Sequence, residues 1–250
     1  MISGGMLPSE NTEEEMNKRN FSAELENILK GLERHVADPT QASESPSFAS
    51  PPALMLHSCC APCSSYVMEY LAPYFSITVL YYNPNIDEEA EYRKRAAEEK
   101  RLIDRYNEEK KGYPIIYVDG RYDPEEFYRV AAGYEDVPEG GARCFRCYEL
   151  RLRETARMAA ERGSDYFCTT LSISPLKNAE KINEIGERIA AETGVKWLPS
   201  DFKKKDGYKR SIELSKEYEL YRQNYCGCSF SKASSSCARC ASGDPSCIRV

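Results

Sequence analysis

Seven of the eleven cysteines in this 250-residue chain fall into three short groups. Cys59-Cys60-Ala61-Pro62-Cys63 sets three thiols where an apolar run, Leu54-Met-Leu-His-Ser, meets Pro62, a residue suited to the first turn of a helix. A helix N-terminus lowers a thiol pKa and favours the thiolate that binds metal. Neighbouring side chains diverge, so adjacent Cys59 and Cys60 read poorly as two buried structural residues. Cys144-Phe145-Arg146-Cys147 puts two sulfurs on one face of a turn, which suits zinc, iron–sulfur or a dithiol pair. Cys226-Gly227-Cys228 can chelate one metal or close a strained, easily reduced disulfide. A zinc site usually needs a second CxxC or a histidine pair, and the two histidines, His35 and His57, have no paired spacing. An all-sulfur set drawn from three segments fits iron–sulfur better than hard cations. His57 reads equally as a core residue or a site-facing one. Cys168 reads as core, and Cys237, Cys240 and Cys247 read as non-catalytic.

Two polar segments could hold a substrate. Thr169-Thr-Leu-Ser-Ile-Ser-Pro-Leu-Lys177 offers hydroxyls and backbone N–H groups to a phosphate or ribose, or simply caps a helix. Phe202-Lys-Lys-Lys-Asp-Gly-Tyr-Lys-Arg210 interleaves cations with aromatics, as phosphate contact with base stacking requires, or is a solvated loop. Lys177, Lys203, Lys204, Lys205 and Tyr208 are the candidate substrate contacts.

These groups need a scaffold. Leu54–Ser58, Ser76–Tyr82, Ile115–Val118, Tyr166–Leu171 and Val195–Leu198 read as strands. Between and after them lie helical stretches over Asp87–Lys111, Asp123–Ala132, Cys144–Arg162, Asn178–Thr193 and Tyr208–Asn224. The alternation predicts an α/β fold, a mostly parallel sheet with helices on both faces. Sites in such sheets form at the carboxyl ends of strands, where Cys59, Cys60 and the loop Leu171–Pro175 fall.

Residues 1–52 read as an acidic extension with one amphipathic helix, Ser22–His35, and a Pro/Ser-rich linker. Residues 53–231 form the catalytic domain, and 232–250 a low-complexity tail expected to be disordered. Net charge is −6, of which −5 lies between Met1 and Ser50. The remaining chain is near neutral, which argues against a general nucleic-acid coat but permits a local basic patch. No apolar signal segment opens the chain and no run of about 18 apolar residues occurs. The expected setting is therefore a reducing cytoplasm without a membrane partner, where clustered cysteines bind metal or do redox work.

Taken in order from about Leu54 to Ser231, six segments resemble the epoxyqueuosine reductase family of the QueH type. They are His57-Ser-Cys-Cys-Ala-Pro-Cys63; Tyr82-Asn-Pro-Asn-Ile86 with Glu91-Tyr92; Arg143-Cys-Phe-Arg-Cys-Tyr148 with Arg151, Leu152 and Thr155; Thr169–Pro175 with Lys177; Asp201–Tyr208; and Leu220-Tyr-Arg-Gln-Asn-Tyr-Cys-Gly-Cys228. The resemblance implies a fold like the adenine nucleotide α-hydrolase superfamily, without that group's Gly-rich pyrophosphate loop. It implies an oxidoreductase of tRNA processing, acting in the last step of queuosine biosynthesis, where epoxyqueuosine at the wobble position becomes queuosine. Cys59, Cys60, Cys144 and Cys147 match the ligands of a 4Fe–4S cluster. Cys226 and Cys228 match a catalytic pair, either a redox-active disulfide or ligands of an additional mononuclear iron. Some relatives carry Asp where this chain has Cys63. The implied partners are tRNA carrying epoxyqueuosine and an as yet unidentified electron donor. Removing the epoxide oxygen as water takes two electrons and two protons, and Tyr82, Asp201, Lys177 and Tyr225 are candidate acids. Two other classes stay open: a zinc-stabilised tRNA-binding module without catalysis, and a thiol–disulfide oxidoreductase using Cys144 and Cys147.

Overall fold

A computed structural model describes residues 19–37 and 50–233. The acidic opening segment, most of the Pro/Ser-rich linker, and Cys237, Cys240 and Cys247 lie outside the described residues. Leu54 and Leu56 point to one face of strand β1 (Ala53–His57) and Met55 to the other, and all three are fully buried. A strand buried on both faces belongs at the centre of a parallel sheet. β1 indeed pairs in parallel with β2 (Ser76–Tyr81) on one side and β4 (Tyr166–Thr169) on the other. β3 (Ile116–Asp119) and β5 (Lys196–Trp197) complete the order β3-β2-β1-β4-β5. The chain winds outward from β1 to β3, then returns to lay β4 against β1. That reversal opens a crevice beyond the carboxyl ends of β1 and β4.

Helices cover both faces. On the side of Leu54, Leu56, Ile77 and Val79 lie α1 (Phe21–Ala37), α2 (Ala61–Leu71), α3 (Glu89–Glu108) and α7 (Gly207–Glu217). On the side of Met55, Leu80 and Phe167 lie α5 (Ala142–Glu161) and α6 (Ala179–Thr193). The short α4 (Pro124–Ala131) packs on α5. Gly186 lets α6 approach β5, since a Cβ there would meet the Trp197 ring at 2.3 Å.

Most elements shift by a few residues from the expected boundaries, and two of the shifts have a visible local cause. The last helix ends at Glu217 instead of reaching Asn224. Glu219 turns into the left-handed region (φ 50°), Leu220 N–H closes back on the Ser215 carbonyl at 2.8 Å, and Arg101 from α3 donates to the Tyr218 carbonyl at 2.9 Å. Burial of Leu220 then directs the chain across the molecule toward Cys226. β4 likewise stops at Thr169, whose side-chain oxygen caps a 3-10 turn over Thr170–Ile173 by accepting the Leu171 N–H. α1, in the extension expected to precede the catalytic domain, docks on the sheet's core through Leu25 and Leu29.

Candidate thiol-lined active site

The sequence places Cys60 in extended backbone just before α2, and the first turn of α2 closes on its carbonyl. Cys63 N–H and Ser64 N–H donate to it at 3.1 and 3.0 Å. This change from extended to helical backbone brings adjacent side chains to one side rather than splaying them. Cys59 Sγ and Cys60 Sγ lie 3.9 Å apart, and with Cys63 all three sulfurs fall within 4.8 Å of one another. Thr170, just beyond β4, braces the turn. Its hydroxyl accepts the Cys59 N–H at 3.2 Å and donates to Cys59 Sγ at 3.3 Å. The thiols of Cys60 and Cys63, then Thr170, hold the Cys59 thiol well below its ordinary value. Cys60 and Cys63 are pushed up, chiefly because they donate to Cys59. A metal bound by such a set would favour the thiolate form of every ligand.

His57 belongs to the scaffold. Its ring bonds Thr169 Oγ1 at 2.8 Å and the Tyr82 carbonyl at 3.0 Å, joining β1, β4 and the end of β2. Burial, with the nearby Arg151 charge, lowers it to about 3, so it is a neutral crosslink.

Cys144 and Cys147 sit one turn apart at the start of α5, with the Gly140 N–H directed at Cys144 Sγ (3.3 Å). Burial raises the Cys147 thiol. Cys226 and Cys228 are free thiols with sulfurs 3.5 Å apart. Gly227 between them has φ +124°, and a Cβ there would meet Ile86 at 2.6 Å, so glycine alone gives this geometry without strain. Asn85 and Arg95 hold the Cys226 carbonyl. The Cys228 thiol, and then the Lys177 ammonium against the opposing effect of burial, lower Cys226 to about 5.

These thiols front two adjoining cavities. The larger, about 230 Å³, is lined by Cys59, Cys60, Cys63 and Cys226. The smaller, about 20 Å³, is lined by Cys144, Cys147, Cys226 and Cys228. Cys226, Arg151 and Lys177 line both. Cys63 therefore stands in the tight group with Cys59 and Cys60, whereas Cys144 and Cys147 face the neighbouring cavity. The donor set is entirely sulfur, with two buried cations beside it, which fits an anionic iron–sulfur or iron–thiolate centre.

Of the candidate substrate contacts, Lys177 and Tyr208 line the larger cavity. Lys177 is almost buried and pairs with Glu139 at 3.1 Å. Lys203, Lys204 and Lys205 do not line it. Lys203 pairs with Asp201 at 2.7 Å and Lys205 with Glu26 of α1. Of the candidate acids, Lys177 and Tyr225 line the cavity. Tyr82 donates its hydroxyl to Glu126 on α4, and Asp201 is held by Lys203. Sequence reasoning gave no role to Arg151 or Glu139, and read Thr170 only as one hydroxyl of a segment for a phosphate or ribose, not as the brace of Cys59. Arg151 falls one turn after Cys147 on the same face of α5, a spacing that could have marked it.

The sequence profile of the family described as epoxyqueuosine reductase QueH matches residues 54–234. The chain is 45% identical over 181 residues to the epoxyqueuosine reductase QueH of Staphylococcus epidermidis, covering 72% of this chain and 76% of that protein. The protein of the same name from Streptococcus pyogenes is 45% identical over 177 residues, 71% of this chain and 69% of its own length. That from Thermotoga maritima is 37% identical over 184 residues, 71% and 89% respectively.

Proposed function

The chain belongs to the epoxyqueuosine reductase QueH family, and from that premise we propose that it reduces the epoxide of epoxyqueuosine in tRNA to the alkene of queuosine. The observation that carries the reading is the meeting of seven thiols from three segments at two adjoining cavities beyond β1 and β4. Cys59, Cys60, Cys144 and Cys147 would hold a 4Fe–4S cluster, which supplies electrons singly. Cys63 and the Cys226–Cys228 pair would border the reacting epoxide, with room for an additional mononuclear iron.

The reaction takes two electrons and two protons and releases one water. Cys226 and Cys228 can store both electrons, since closing a disulfide between them yields two electrons; with Cys226 ionised the pair releases one proton, from Cys228, and the second comes from an acid on the cavity wall or from solvent. The Lys177 ammonium, which lines the cavities with Cys226 and is held by Glu139, would stabilise negative charge developing on the departing oxygen. Lys177 and Tyr225 are the two candidate acids on the cavity wall. Tyr208, at the cavity rim and part-exposed, offers a ring on which a base can stack. A thiol–disulfide oxidoreductase working through Cys144 and Cys147 would leave the other five grouped thiols without a role.

Two measurements test the reading together. Anaerobically purified protein should contain iron and acid-labile sulfide, and should convert epoxyqueuosine tRNA to the product lacking one oxygen. Zinc in place of iron, with no conversion, would identify a structural tRNA-binding module instead.

A further inference from the structure

We propose that Arg151 is a fixed positive charge shared by both thiol sites, raising the electrostatic potential at each. A buried cation is costly unless an anion accompanies it. The other buried cations follow that rule or are otherwise held. Arg95 pairs with Glu91 at 2.7 Å, and Lys177 pairs with Glu139 at 3.1 Å. Arg143 donates to the carbonyls of Tyr134 and Glu135 and lies over the Phe230 ring. Arg151 is 4% exposed and, among the described residues, has no carboxylate within ion-pair distance. Its guanidinium makes two long hydrogen bonds, both 3.3 Å, to the Cys147 carbonyl and to Asn83 Oδ1. Five N–H donors are available, and the group lines both cavities.

The anchors tie this charge to both thiol groups. Cys147 carries one acceptor. Asn83 carries the other, and its own amide donates to the Ser58 carbonyl at 2.8 Å, beside Cys59. The guanidinium stays cationic even when buried, so without a carboxylate beside it its charge acts on the sulfurs of both cavities. A cation fixed between the two thiol sets favours thiolate on both sides and makes an added electron less costly there. Arg151 is thus a positioning charge, not a proton donor. This inference rests on the proposed iron–sulfur reading only where it concerns redox potential.

The test uses Arg151→Met and Arg151→Gln, which remove the charge, and Arg151→Lys, which keeps it. In reduced, metal-free protein, Cys59 and Cys226 are alkylated separately with anionic iodoacetate and neutral iodoacetamide, and each site is read by peptide mass. The ratio of the two rates cancels thiolate content and reports local potential. It should fall roughly fivefold or more in the neutral variants and stay near wild type in Arg151→Lys. In iron-loaded protein of equal iron and sulfide content, the midpoint potential should move negative in Arg151→Gln and Arg151→Met, but not in Arg151→Lys. An unchanged ratio in a folded neutral variant would overturn the assignment. So would an equal change in the lysine and neutral variants, which would mark a packing role. If wild-type protein assembles no iron–sulfur centre, the functional reading fails while the alkylation ratio still decides the charge.

Discussion

Glu99, on α3, is fully buried, and neither carboxyl oxygen has a hydrogen-bond partner among the described residues. It lies near the Ser58 and Ser64 hydroxyls, which bond each other at 2.6 Å behind the Cys60 turn. Burial raises its pKa from 4.5 to about 8, outweighing Ser64 and Ser58, and negative charge at Cys59 and Glu98 adds to the rise. The folded state therefore retains a proton that the unfolded chain releases above 4.5. A raised carboxyl contributes its full stability below 4.5 and loses it as pH rises through 8. At about 1.4 kcal/mol per unit, the loss is about 3 kcal/mol at pH 7. Glu99→Gln keeps the shape and removes the titration. Urea unfolding should then show no gain over wild type at pH 4.5. At pH 7 the midpoint should rise by about 1 M, taking a slope of a few kcal/mol per M. The gain should level off above pH 8. A difference between variant and wild type that stays constant from pH 5 to 8 would refute the argument, because Glu99 would then not titrate on unfolding.

On the proposed reading, changing Cys59, Cys60, Cys144 or Cys147 singly to Ser should remove most of the visible iron–sulfur absorbance, and full retention in all four would exclude that ligand set. Iodoacetamide labelling of Cys226 in metal-free protein should follow a titration near 5, and Lys177→Met should move it upward; an ordinary thiol profile in wild-type protein would contradict the geometry. Within the basic segment, Lys204→Ala should lower tRNA affinity and the salt slope by about 1, more than Lys203→Ala or Lys205→Ala, which remove cations already paired. Removing residues 1–52 and the tail after 232 should leave cluster content and turnover intact, since α1 lines neither cavity. The truncated protein should nevertheless melt lower, because Leu25 and Leu29 leave the core; Leu25→Ala alone should cost about 2–5 kcal/mol by denaturation.

Much of the scaffold was legible because two periodicities govern it. Leu54, Met55 and Leu56 with their flanking turn residues specify a central strand, and the order of strands and helices specifies a parallel sheet. The sheet then delivers Cys59 and Thr170 to one crevice through the registered pairing of β1 with β4. The length of α7 was not legible. Its end depends on Arg101, 117 residues away, reaching the Tyr218 carbonyl. Spacing grouped Cys63 with Cys59 and Cys60 but could not tell that their sulfurs converge, because that depends on the backbone change at Cys60 and on the Thr170 hydroxyl. The basic segment illustrates the same gap: its composition says phosphate, but Glu26 and Asp201 neutralise two of its three consecutive lysines.

That neutralisation bears on how a tRNA could be held. Arg210 is likewise engaged, with Glu69 at 2.8 Å and Glu213 at 3.5 Å. A polyanion approaching the segment therefore meets few unpaired cations, and counterion release there is small. The cations without that competition lie inward. Arg151 lines both cavities with no carboxylate in ion-pair distance among the described residues, and Arg222 lines the larger one while donating to Ser215 Oγ; Lys177 beside them is paired with Glu139. Charge set in the wall of a cavity acts on whatever enters it rather than on backbone passing over the surface. Under the proposed function, recognition should rest mainly on the modified base and its neighbours within the cavity, with phosphate contacts fixing position. Affinity for tRNA lacking the modification should accordingly be weak, and the discrimination between modified and unmodified tRNA should survive salt concentrations that abolish non-specific binding.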